Sequence, residues 1–157
     1  MEEAGFKTLA NLADHKDIYA SSVAMFSRKA VTANPKLPEL IIRAQAEAIK
    51  RFYEDKAFAV KAYTAYDKQE QKDVERIYDL YAKNQAFERV PFVLATAVKS
   101  VAAQADAEQA TQLKAVDLKK IIDNSIVDRL VKEGFFEKLF GPTIKSEQEN
   151  RSKQALR

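Results

Sequence analysis

Cysteine and tryptophan are both absent from the 157 residues. Without thiols the chain forms no disulfide, builds no thiolate metal site and offers no cysteine nucleophile. Glycine and proline are scarce, at three and four residues. With so few helix breakers among so many Ala, Leu, Lys, Glu and Gln residues, composition points toward helix. Long apolar runs are missing too, and nothing approaches the roughly 18 consecutive apolar residues of a membrane-spanning helix. The opening Met1-Glu2-Glu3-Ala4-Gly5 is acidic and has no apolar h-region, so it is not a signal peptide. If the intact protein is exported, its signal is expected outside this sequence. A strong excess of one charge is also lacking. There are 26 basic and 23 acidic residues, interleaved almost throughout, for a formal net charge of +3. Nucleic-acid binders gather their basic residues on one stripe, so no nucleic-acid partner is expected.

What is present is a globular mixture, 46% hydrophobic and 31% charged. The length suits one domain with a real core. Residues 5 to 30 differ from the rest. Phe6 to Ala10 reads as a short strand. Tyr19 to Arg28 reads as a second strand, with Val23 and Met25 on alternate positions. Asp14 to Asp17 between them is turn-like. From Asn34 the pattern becomes helical. Asn34 is a good N-cap and Pro35 suits the first helical position. Leu37, Ile41, Ala44, Ala48 and Phe52 recur at spacings of three and four, which predicts a helix over 34–53 with that face inward. A second helix is predicted over 55–66, facing inward with Phe58, Ala62 and Ala65. A third is predicted over 69–84, carrying Val74, Ile77, Tyr78 and Tyr81. After Val90-Pro91, Leu94, Ala97, Val98, Val101 and Ala105 mark another helical face. Asp117 can cap a short turn through Ile121, and Asn124 can cap a helix over 125–133. Gly134 suits the left-handed position that ends it, with Phe135 as its hydrophobic partner. Phe136, Leu139 and Phe140 should pack on the body. Gly141-Pro142 stops the pattern. This gives a folded portion over 1–141 and a polar tail over 142–157, frayed from about 145.

The order of these segments resembles the C-terminal portion of type II solute-binding proteins of ABC importers, of the nitrate/sulfonate/taurine and thiamine-precursor kind. Gly5-Phe6-Lys7-Thr8-Leu9-Ala10-Asn11-Leu12 resembles a strand of that family. Tyr19 to Arg28 is similar to a segment that ends in a Ser/Thr-Arg pair before a helix. Asn34-Pro35 resembles the opening of the family's long helix, with Ala44 and Ala48-Ile49 following. Asp123 to Asp128, continuing to Gly134-Phe135-Phe136, resembles its closing motif. The resemblance spans about residues 5–141. It implies a mostly α chain with a short two-stranded β element, the C-terminal part of an α/β type II periplasmic binding fold. It implies further that the chain is part of a protein about twice as long. That protein would be periplasmic, or lipid-anchored outside the cytoplasm, and would pass a small-molecule ligand to ABC permease subunits. Two strands without sheet neighbours would leave an exposed edge, through which a homodimer could form.

Within that expectation, Tyr19, Ser21 and Ser22 are the candidate ligand contacts. Hydroxyls at a strand end beside a cleft can bond an anionic or polar solute. The plainer alternative is that they are ordinary strand residues, with Tyr19 packing at a sheet end. His15, the one histidine, has only Asp14 and Asp17 near it and reads as a solvated turn residue rather than a metal ligand. Tyr53, Phe58, Tyr63, Tyr66, Tyr78, Tyr81 and Phe87 fall at helical spacing and read as core. Glu70, Asp73, Glu75 and Asp79 are interleaved with Lys72 and Arg76 and read as a charged outer face. Lys145, Arg151, Lys153 and Arg157 make the tail mildly basic, diluted by Glu147 and Glu149. No phosphate loop, nucleophile elbow or convincing catalytic carboxylate pair occurs. Neither an enzyme, a cofactor nor a metal site is expected. The competing expectation is a stand-alone helical interaction adaptor. An enzyme of thiamine-pyrimidine chemistry, known among wider relatives with a Cys-rich segment, fits poorly with a chain that has no Cys.

Overall fold

The computed structural model describes Gly5, Lys7, Leu9 and residues 22–157. Nine α-helices occur among them: α1 (Arg28–Ala33), α2 (Leu37–Glu54), α3 (Lys56–Asp67), α4 (Gln71–Lys83), α5 (Ala95–Ala103), α6 (Ala107–Lys114), α7 (Ser125–Lys132), α8 (Phe135–Phe140) and α9 (Lys145–Gln154). Short 3-10 turns lie at Leu118–Lys120 and Pro142–Ile144. The described residues contain no strand. Their β pairing is a single antiparallel bridge between Leu94 and Ala155.

The expected α/β architecture is therefore overturned, and the described chain is all-helical. The first expected strand, Phe6 to Ala10, lies mostly outside the described residues, and Lys7 and Leu9 have no regular structure. In the second, residues 19–21 lie outside and 22–27 are irregular. Val23 and Met25 alternate as a strand would, but Met25 is 86% exposed and pairs with nothing. The decisive residue is Ser27. Its hydroxyl accepts from the Ala30 N–H at 3.1 Å, so it caps α1. Among the described residues there is no sheet edge through which a homodimer could pair.

Asn34 does not open α2. Its N–H donates to the Ala30 carbonyl and closes α1, while its side chain accepts from the Lys36 N–H. A turn over Pro35-Lys36 separates the two helices, and the proline inside the first turn of α2 is Pro38. The face of α2 is rotated from the expected one. Pro38 and Ala46 are buried and Ile42 packs on the core, whereas Ile41, Ala44 and Ala48 are exposed. Likewise α3 buries Val60 and exposes Phe58, Ala62 and Ala65. On α4, Val74 and Tyr78 are buried as expected, whereas Ile77 and Tyr81 are exposed.

The main core joins α2, the 90–97 segment, α7, α8 and Ile144. Leu130, Phe136 and Ile144 are fully buried at its centre. Each such side chain contributes about 1.5–3 kcal/mol on leaving water. Helix α7 reaches this core because its apolar residues Ile126, Val127, Leu130 and Val131 fall on one side. Gly134 ends α7 at φ 71, a conformation that costs a residue with a Cβ far more, and Phe135 starts α8 directly after it. A smaller core of Val60, Val74 and Tyr78 holds α3 against α4.

The tail is ordered rather than frayed. Helix α9 turns its Gln148 inward, and the segment after it runs back along residues 93–94. Leu156 N–H donates to the Val93 carbonyl at 2.9 Å, and Ala155 is buried. Asn124 ties these pieces together. It stands before α7 but does not cap it; Asp123 accepts from the Ser125 N–H instead. The buried Asn124 carboxamide accepts from Val93 N–H at 2.9 Å and donates to the carbonyls of Val93 and Leu156, both at 3.0 Å.

Replacing Asn124 with Ala strands these backbone groups. An Asn124→Ala chain is expected to lose about 2–4 kcal/mol, from unpaired buried polar groups together with a small cavity. Urea unfolding monitored by circular dichroism measures it. A loss below about 0.5 kcal/mol, the range of an ordinary surface change, would remove the residue from this role.

Candidate functional site

Two concavities are open to small molecules or partners. The first is polar, about 340 Å³, and lies between the segment entering the main core and α9. Gln85, Phe87, Glu88 and Arg89 form one wall, and Ser146, Glu147, Asn150 and Arg151 the other. The α9 residues share a wall because 146, 147, 150 and 151 repeat at helical spacing. Arg89 reaches Glu147 through both Nε and a terminal nitrogen, at 3.0 and 2.7 Å. Arg151 donates to the Val90 carbonyl at 2.7 Å and pairs with Glu88. Each guanidinium thus already faces a carboxylate. The cleft carries no net charge from these four groups, and a lone anion would have to displace a carboxylate to enter it.

The second concavity is an apolar groove of about 300 Å³ between α2 and α3. Ala48, Ala59 and Ala62 leave its space open, and Phe52, Phe58, Tyr63 and Tyr66 stand around it. Tyr66 is 86% exposed. Arg51 lies over the Phe58 ring at 3.3 Å from its centroid, a cation–π contact that covers part of this surface. The groove supplies shape and apolar area but almost no directional chemistry.

Of the sequence-predicted ligand contacts, only Ser22 falls within the described residues. Tyr19, Ser21 and His15 lie outside the described residues, and Ser22 is exposed in irregular chain. The acidic group on α4 is a solvated face: Asp79 pairs with Lys56 at 2.6 Å and Glu75 accepts from Gln71. Among the described residues no set of His, Asp or Glu side chains is placed to hold a metal ion. The aromatic set divides. Tyr53, Tyr78 and Phe87 meet the Phe52 ring, and Tyr81 meets Phe87, where α2, α4 and the 84–89 segment come together. Phe58, Tyr63 and Tyr66, expected in the core, are largely exposed. The Arg89–Glu147 and Arg151–Glu88 pairs were not anticipated, because residues some sixty positions apart leave no local signal. Helix α6 had a readable signal: Asp106 and Gln109 form a reciprocal capping box.

Charge also fixes the faces of the helices. Glu39 on α2 accepts from Arg129 at 2.7 Å and from Arg43 at 2.8 Å, and Arg43 reaches on to Glu133. The Arg129 and Arg43 guanidiniums hold the Glu39 carboxyl below the usual range. At the chain end, Arg157 makes two bonds to Asp128, at 2.6 and 3.0 Å, and holds that carboxyl below the usual aspartate range. Burial pushes the Tyr53 phenol up, so it is protonated at neutral pH and donates to the Phe87 carbonyl while accepting from the Phe87 N–H. Among the described residues no helix is long and apolar enough to cross a membrane. No protein-family model, curated protein or solved structure matches the chain.

The Asp128–Arg157 pair makes stability depend on pH in a defined direction. Because the folded carboxyl titrates lower than the unfolded one, its contribution is complete above the ordinary aspartate pKa of about 3.9. It is lost as pH falls through the depressed folded value. The urea midpoints of the native chain and Asp128→Asn should therefore differ at pH 7 and converge as the pH is lowered through the depressed folded value. A gap that persists unchanged in acid would show that Asp128 acts by packing rather than by charge.

Proposed function

We propose that the chain serves ligand capture in an ABC importer, as part of its non-catalytic solute-binding component outside the cytoplasm. The solute would be small and polar, such as an alkanesulfonate, taurine, nitrate or a thiamine-precursor pyrimidine, and would be handed to the permease. The all-helical architecture lends this reading no support, so it stands on the order of the motifs and on where they fall. One observation carries it. The Asp123 to Phe136 motif contains the buried Asn124 hub, the left-handed Gly134 and the fully buried Phe136. The residues that carry the resemblance are thus residues on which the main core is built. Tyr19, Ser21 and Ser22 remain the proposed ligand contacts.

Isothermal titration with taurine, an alkanesulfonate, nitrate and an aminopyrimidine tests the reading on this chain and on the natural polypeptide that contains it. One solute is expected to bind saturably. Tyr19→Phe or Ser21→Ala should then weaken it about tenfold, the worth of one hydrogen bond involving a charged group. Absence of saturable binding of all four at millimolar concentration would overturn it.

A second reading, a helical interaction module, is favoured by a different observation. Ala48 on α2 and Phe58, Ala62 and Tyr66 on α3 are exposed and line the groove, and α2 also exposes Ile41 and Ala44. Surfaces of this kind mark contact sites or aggregation liabilities. A monomer with a dispersed amide spectrum at high concentration fits the module. Aggregation relieved by Ile41→Glu would instead mark a face that needs covering for solubility.

A further inference from the structure

The small core of Val60, Val74 and Tyr78 is separate from the main core. It holds α3 and α4 together as a hairpin, and the chain enters and leaves that hairpin through two narrow joints. At the first, Asp55 is at once the last cap of α2 and the first cap of α3. Its N–H donates to the Arg51 carbonyl and its side chain accepts from the Phe58 N–H. No linker separates the helices; the direction changes at Asp55, with φ −132 and ψ 78. At the second joint, Gln85 adopts a positive φ of 46 although it is not glycine, a conformation that costs an ordinary residue energy.

Ties between the hairpin and the body gather around Phe52, and Arg51 on α2 adds a cation–π contact to Phe58 on α3. Tyr78 on α4 donates to the Phe52 carbonyl at 2.9 Å. The Phe52 ring meets those of Tyr78 and Phe87, at 4.8 and 4.9 Å between centroids, and Tyr81 meets Phe87 at 5.6 Å. Beyond Gln85 the chain is pinned again, because the Tyr53 hydroxyl bonds both backbone groups of Phe87. Lys56 and Asp79 pair within the hairpin and would open with it.

We propose that the α3–α4 hairpin opens as one cooperative unit between Asp55 and Gln85, its small core and helical hydrogen bonds lost together while the main core stays folded. Segments open independently when they bury little apolar surface against the rest and are joined through few contacts. Opening breaks the Tyr78 bond and the ring contacts around Phe52, but leaves the Asn124 hub and the Arg129–Glu39 pair intact. It also reshapes both concavities. Phe58, Tyr63 and Tyr66 leave the apolar groove, while Gln85 moves at the mouth of the polar cleft. The hairpin thus controls access to both concavities, whichever of the two functional readings holds.

Native-state hydrogen exchange on the full chain, read by mass spectrometry or NMR, tests this. Amides of 58–83 should exchange as a group, faster than those of 127–140. Val74→Ala removes two methyl groups from the small core and should speed the first group about tenfold without changing the second. Val127→Ala should do the reverse. Tyr78→Phe removes the hydrogen bond that opening breaks and should speed the hairpin group alone. Equal acceleration of both groups in Val74→Ala, or loss of the whole fold in that variant, would overturn the proposal. Tyr78→Phe accelerating 127–140 as much as 58–83 would overturn it as well.

Discussion

The carboxamide of Asn124 is the constraint on which the arrangement of the main core turns. A buried amide that lost its partners would cost more than one hydrogen bond returns, so the three groups around it are held in place. Those groups belong to segments distant in sequence: both backbone groups of Val93, and the Leu156 carbonyl. Fixing them fixes the Leu94–Ala155 bridge and the path of the returning tail. It also sets the start of α7, and with it the positions at which Val127 and Leu130 enter the core.

Ion pairs then select among faces that hydrophobicity leaves nearly equivalent. Helix α2 has two apolar sides, one with Pro38, Ile42 and Ala46 and the other with Ile41, Ala44 and Ala48. Glu39 and Arg43 lie beside the first. Their partners Arg129 and Glu133 are on α7 and just after it, so turning the second side inward would separate the charges. Exposed pairs contribute little to stability singly. They still discriminate between two packings whose apolar burial is similar, and Arg43 adds area by lying over the Phe135 ring at 4.6 Å.

The sequence was legible where a local signal decides the local structure. Asp117 caps its turn, Gly134 takes the left-handed conformation, and Val74 and Tyr78 face inward. It misled where a local signal has two physical meanings. A serine before Arg-Lys-Ala can end a strand or cap a helix, and at Ser27 it caps. Asn34 can start one helix or finish another, and here it finishes α1. The stripes at Ile41 and Phe58 follow helical spacing correctly, yet spacing cannot say which of two apolar stripes is covered. The tail read as frayed because its composition is polar. What orders it is distant: Arg151 on the carbonyl of Val90, Leu156 on Val93 and Arg157 on Asp128. Of the candidate site, the aromatic residues were visible as a set. Their division into a packed joint and an exposed groove depends on the angle between α2 and α3 set at Asp55.

The pairing inside the polar cleft limits what it can do alone. Arg89 and Arg151 are the kind of residue that captures sulfonate, nitrate or carboxylate groups bidentately. Here both are engaged by Glu147 and Glu88, and Arg151 is also bonded to the Val90 carbonyl that anchors the core. Releasing Arg151 for a ligand would loosen the attachment of α9, so affinity gained at the guanidinium would be offset by packing lost beside it. Arg89 is freer, since the partner it meets is Glu147 across the cleft. A zwitterion could engage both members of that pair without leaving a charge unmatched, whereas a simple anion would strand the carboxylate. The cleft residues alone are therefore poorly arranged to hold a simple anion. Within the solute-binding reading, the hydroxyls of Tyr19, Ser21 and Ser22 are the contacts proposed, and the four charged residues act as a brace between the entry to the core and α9.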